Sequence, residues 1–145
     1  ESISEASRMF NKLTERERLI AGTALFWEKR TKKGSKLTFS NSDPQMIIFI
    51  YRWYKNILGV KNDEFMPRIF INHMHKPRID TVIKYWSSLL SLPISQFGNP
   101  ILLKMKQVKK YENYDTYYGV LQLGVRRPGK LKYKVMGLIE ALKSI

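Results

Sequence analysis

"LIAGTALFWEKRTKKG", Leu19 to Gly34, reads as a short apolar helix with small residues in its middle and an acid at its end, followed at once by a cationic turn. Thr14 and Glu17 just before it make a T-x-x-E capping box, so the spacing predicts a helix from Glu15 to about Arg30. From Leu19 to Trp27 every residue is apolar, small or Thr, which leaves no solvated face there. Such a helix is expected to be buried on more than one side. Helices of this build can hold a metal-binding acid at a subunit boundary, or can be packing elements whose terminal Glu is solvated.

Downstream, Leu37 and Phe39 alternate with Lys36, Thr38 and Ser40, the period of a half-buried strand. Asp43 is an N-cap with Pro44 at the first helical position, and Gly59 a terminator, so "PQMIIFIYRWYKNIL" is a second core helix. "RIFINH" is a strand with Ile69 and Ile71 on one face and Arg68, Phe70 and Asn72 on the other. "PRIDTVIKYWSSLL" is an amphipathic helix through Ile79, Val82, Ile83, Trp86, Leu89 and Leu90. After the loop "LPISQFGNP", the segments "ILLKMKQVKK" and "YYGVLQLGVRR" read as a strand pair joined across "YENYD". A last helix carries Leu131, Val135, Leu138, Ile139 and Leu142. This order predicts an α+β domain, a mainly antiparallel four-stranded sheet with helices on one face. Residues 1–13 are expected as an N-terminal tail and 14–145 as a single domain, since 145 residues support one core and hardly two. The chain opens on Glu1 rather than Met, and a further N-terminal segment is expected.

Hydrophobic residues make up 43% of the chain, so a packed core is the default. Cysteine is absent, which excludes a disulfide framework, a Cys-ligated zinc and a thiol nucleophile, and points to a cytoplasmic protein. No stretch is apolar for long enough to span a bilayer, so no membrane partner is expected. The net charge of +14 calls for a polyanion, and nucleic acid is the commonest one.

If helices cover one face of the sheet, alternation says what the other carries. Leu103 and Met105 oppose Lys104 and Lys106; Leu121, Leu123 and Val125 oppose Tyr118, Gln122 and Arg126. The open face is then expected to present Lys36, Thr38, Ser40, Arg68, Asn72, Lys104, Lys106, Tyr118, Gln122 and Arg126, with no acid among them. Arg and Lys pair with phosphate or guanine, Asn and Gln with adenine edges, and Ser and Thr with either. A solvated sheet face usually mixes charges; one sign suggests DNA.

The "ALFW" helix, "FSNSDP", a strand ending "NHMH", "YWSSLLSLPISQF" and "YYGVLQLGVR" together resemble bacterial proteins that join a helix-turn-helix to a LAGLIDADG homing endonuclease-like half-domain. The resemblance covers the chain from about Leu19 onward. It implies that the apolar helix packs against its counterpart in a second copy through Ile20, Ala21, Gly22 and Ala24. That gives a two-fold homodimer on a pseudo-palindromic duplex. It also implies that an acid at the helix end holds divalent metal for phosphodiester cleavage. The expected pattern is Trp, a small residue, Glu, then Gly, whereas this chain has Trp27, Glu28, Lys29, Arg30. The acid comes one residue early, a rotation of about 100° around the helix, and Lys stands in its place. Glu28 is therefore the candidate catalytic and metal-binding residue only if the chain is a nuclease, with Mg²⁺ as the cofactor; otherwise no cofactor is expected.

His73 and His75 form an H-x-H pair that no nearby carboxylate completes into a metal site. Tyr111, Tyr114, Tyr117 and Tyr118 beside Lys109 and Lys110 could stack on unpaired bases, so RNA stays open as a ligand. The leading expectation is a dimeric duplex DNA-binding domain. A metal-dependent endonuclease and an RNA-binding module are the alternatives.

Overall fold

The computed structural model describes residues 2–29, 36–104 and 113–145. They form five α-helices and a four-stranded mixed sheet. The elements are α1 (Ser2–Phe10), α2 (Glu15–Lys29), β1 (Thr38–Asn41), α3 (Pro44–Asn56), β2 (Phe65–Asn72), α4 (Ile79–Leu90), β3 (Ile101–Leu103), β4 (Val120–Val125) and α5 (Gly129–Lys143). The α+β class is the expected one. Among the described residues, no helix is long and apolar enough to cross a membrane.

Local signals place several helix ends. Glu17 accepts from the Thr14 N–H (2.8 Å) and Thr14 Oγ1 from the Glu17 N–H (3.1 Å), which fixes the start of α2. Asp43 accepts from the Gln45 N–H at 2.9 Å and starts α3 ahead of Pro44. Ser91, in the left-handed region at φ 53°, ends α4. Residues 2–10 of the expected tail are helical, and none of them is buried.

The strand order is β1-β4-β2-β3. β4 pairs antiparallel with β1 on one side and with β2 on the other, while β3 pairs parallel with β2. The expected β3–β4 hairpin is therefore incorrect, and the sheet is not purely antiparallel. The physical reason lies in the connection. A strand, a helix (α4) and a second strand return the chain in its original direction, the crossover that makes parallel neighbours. Both edges of β4 are already occupied. Tyr111 and Glu112 of the "YENYD" turn, with Met105, Lys106, Lys109 and Lys110, lie outside the described residues.

The covered face is apolar. Phe39, Phe65, Ile69, Ile71, Leu121, Leu123 and Val125 join Phe26 of α2, Ile47, Ile50 and Tyr54 of α3, Val82 and Trp86 of α4, and Val135 and Ile139 of α5 in one core. Phe26 ties three elements together, its ring centroid 5.4 Å from Phe39, 5.2 Å from Trp53 and 5.6 Å from Tyr54. Burying such a side chain stabilises the fold by about 1.5–3 kcal/mol.

Contrary to expectation, α2 is buried along one side only. Gly22, Thr23 and Phe26 face inward, while Ala24 is exposed, Ile20 is 44% exposed and Trp27 41%. Gly22 meets the Trp53 indole, and a Cβ there would overlap the ring. The close approach that only Gly permits is thus filled within the chain, by α3. Ile20, Ala24 and Trp27, spaced i, i+4 and i+7, form the stripe left uncovered.

Candidate nucleic-acid interface

Register assigns the open face. Ser40 pairs with Gln122, which pairs with Arg68, so these three form a row across the middle of the sheet. Thr38, Gly124 and Met66 form the next row; Val120, Phe70 and Ile101 lie on the other side, and beyond them Asn72 pairs with Leu103. None of the four strands contains an acid. Strands lie about 4.8 Å apart, so the central row spans about 10 Å, close to the about 12 Å width of a major groove.

Lys36 and Arg126 lie at one end of this face, because Thr38 pairs with Gly124 and each cation is two residues further out. Lys104 lies one residue past Leu103, beyond the opposite end of the sheet. All three are exposed. The Arg126 N–H extends the β2–β4 ladder by donating to the Glu64 carbonyl at 2.7 Å. The Arg68 guanidinium lies over Gly98, where an added Cβ would come within 2.8 Å of its Nε. Among the described residues Arg68 forms no ion pair.

Four expected members fall elsewhere or do other work. Leu103, placed by alternation on the covered face, shares the open face with Asn72 and is 38% exposed, so the β3 parity is inverted. Lys104 then alternates away from that face, beyond the strand end. Lys106 lies outside the described residues. Tyr118 stacks on Tyr85 of α4 at 3.7 Å and 2°, on the helix side. The cause is Gly119, whose φ of +73° interrupts the alternation ahead of β4, and which lies too close to the Phe70 carbonyl for a side chain. Asn72 Oδ1 accepts from the Met74 N–H at 2.9 Å and caps a 3-10 turn over His73–Arg78, leaving Nδ2 buried without a partner. The open face is also less polar than expected, since Met66, Phe70, Val120, Ile101 and Leu103 belong to it.

The histidines do not form a pair. His73 is exposed, whereas His75 is buried, stacked on Tyr114 at 4.6 Å, with Nδ1 2.7 Å from Arg78 Nη1. Arginine only donates, so Nδ1 accepts and the ring is neutral. Burial, and secondly the Arg78 guanidinium, hold the imidazole pKa below its ordinary value. Arg78 also donates to the carbonyls of Tyr117 and Asp115, both at 2.9 Å, and lies over the Tyr114 and Tyr118 rings. It clamps the segment that leads into β4. No sequence motif marked that role.

Glu28 is exposed at the end of α2, its carboxylate 3.9 Å from the Lys29 ammonium. One carboxylate per chain beside an ammonium does not suit a divalent cation, which the ammonium repels. Among the described residues no group of three or more His, Asp or Glu is placed to hold a metal. Two further cations escaped the sequence reading: Arg18 and Arg52, from different helices, line one groove between α2 and α3.

Comparison of the chain with protein-family models, with curated proteins and with solved structures gives no match.

Proposed function

We propose that this chain is a duplex DNA-binding domain of LAGLIDADG-like half-domain type, working as a two-fold homodimer with DNA on the open sheet face. The observation that carries the reading is the Ser40–Gln122–Arg68 row: three side chains able to pair with base edges, on adjacent strands, in a sheet without acids, within a chain of net charge +14. Lys36 and Arg126 at one end supply cations for phosphate, which fixes orientation rather than sequence. The uncovered Ile20, Ala24 and Trp27 stripe on α2 supports the dimer, since an apolar stripe of this kind gains stability from a second copy. Ala21 is half-buried at its margin. Two copies paired there would present two equivalent sheets to a pseudo-palindromic site.

The test is selection of bound duplexes from a random library, with and without Mg²⁺, followed by inspection of the bound strands for cuts. Enrichment of an intact, two-fold symmetric sequence is the expected result. Equal retention of all duplexes, or preferential retention of single-stranded RNA in a parallel selection, would overturn it.

A further inference from the structure

α1 buries none of its residues against the rest of the described chain. Ile3, Ala6, Met9 and Phe10 recur at helical spacing on one side, and Glu5 and Arg8 flank them. All of these residues are exposed, Met9 by 86%. An apolar stripe left open along a helix in this way gains stability from cover.

On the same chain, the first turn of α2 and the outer side of α3 bound a groove of about 350 Å³. Ile48, Phe49 and Ile57, all half-buried, give it an apolar lining; Arg18, Arg52 and Glu15 line it as well. Among the described residues neither arginine has a carboxylate within ion-pair distance. The groove therefore offers what α1 lacks, and in matching charge: two arginines for Glu5 and a carboxylate for Arg8.

Among the described residues, none from α1 lines this groove in its own chain. Asn11, in the left-handed region at φ 49°, ends the helix, and the Thr14–Glu17 capping box sets the direction of α2 three residues later. We propose that α1 of one copy seats its apolar stripe in the α2–α3 groove of a second copy, and receives that copy's α1 in return. The exchange closes on itself, as a two-fold contact does. It rests on the dimer reading and adds a second contact to it.

The chain has no cysteine, so introduced thiols report cleanly. Phe10→Cys and Asn56→Cys replace exposed residues, the second of which lines the groove. The two single variants are mixed in equal amounts, oxidised mildly and run on a non-reducing gel. Heterodisulfide well above either homodisulfide is expected, and linked dimers rather than closed monomers when both thiols are on one chain. Adding Arg52→Glu to the Asn56→Cys chain should lower the heterodisulfide about tenfold, and Glu5→Arg on the other chain should restore it. Circular dichroism checks that each variant is folded. A heterodisulfide no more abundant than the homodisulfides overturns the exchange, as does closure within single chains. Ala24→Cys, on the α2 stripe, reports helix pairing separately: its homodisulfide without the mixed disulfide leaves the dimer standing and removes the exchange. The mixed disulfide without the Ala24→Cys homodisulfide removes the α2 pairing and keeps the exchange.

Discussion

Gly22 lies against the Trp53 indole, and the space between α2 and α3 there does not admit even a methyl group. Gly22→Ala should therefore destabilise the domain by about 1–3 kcal/mol through overpacking, lowering the urea midpoint at unchanged slope. A midpoint equal to wild type would show that the ring has room to move. A bulkier residue at 22 damages the core first and so says nothing clear about association.

Association is better read at Ala24, which is exposed in the middle of the α2 stripe. Ala24→Glu puts two like charges across a two-fold contact and should give a monomer by light scattering, with the thermal midpoint of the single chain little changed. A wild-type chain that runs as a monomer at micromolar concentration, with and without DNA, would end the dimer reading.

On DNA, two kinds of substitution should separate. Gln122→Ala should cost about 1–3 kcal/mol on the preferred duplex and relax preference at one position per half-site. Lys36→Ala should weaken binding to all duplexes and lower the salt slope by about one for each lost phosphate contact. Titrations at several salt concentrations tell them apart. If Lys130 and Lys134 of α5 carry the slope instead, while the sheet variants bind like wild type, the DNA lies on the wrong side of this proposal.

Cleavage should be absent or very slow with Mg²⁺ or Mn²⁺, because the one acid at the end of α2 already faces the Lys29 ammonium. Incubation with the selected duplex, followed by strand analysis, checks it. Robust cutting that disappears in Glu28→Gln would mean the acid is in register after all.

The His75–Arg78 contact sets a pH dependence. The folded-state pKa of His75 is below the ordinary 6.5, so between the two values the unfolded chain binds more protons than the folded one. The stability from this residue is complete above about 6.5 and is lost as pH falls from there toward the lower folded value. Protonation turns Nδ1 into a donor facing another donor. His75→Phe keeps a ring beside Tyr114 but removes the titration, and should flatten the fall in thermal midpoint over that range. An unchanged profile would assign the fall to other groups.

What was legible in the chain was local. The Thr14–Glu17 box and the Asp43–Pro44 start depend on neighbours a few residues apart, and the burial alternation of β2 follows from one covered face. The inward sides of β4 and α5 were readable for the same reason. The failures in the sheet and at α2 are non-local. Nothing near Leu103 says that it pairs with Asn72 in parallel rather than with β4. The parity of Tyr118 is reset by one positive φ at Gly119 that alternation takes no account of. Gly22 reads as a place for a second helix until Trp53, on the next helix, is seen to fill it. Part of the open face was therefore legible, its central row above all, while its β3 edge was not.

The place of β4 between β1 and β2 governs how the chain can be made. Among the described residues β1 hydrogen-bonds to no strand but β4, and β2 gains its antiparallel neighbour only from β4. During synthesis the ribosome has to release residues 120–125 before the sheet can close, and until then the apolar sides of two strands wait for their middle member. Long-range closure of this kind is slow and leaves apolar surface exposed to aggregation meanwhile. Between the release of β2 and that of β4 the nascent chain is thus half-assembled, and holding factors have an opportunity to act on the stretch from β1 to β2.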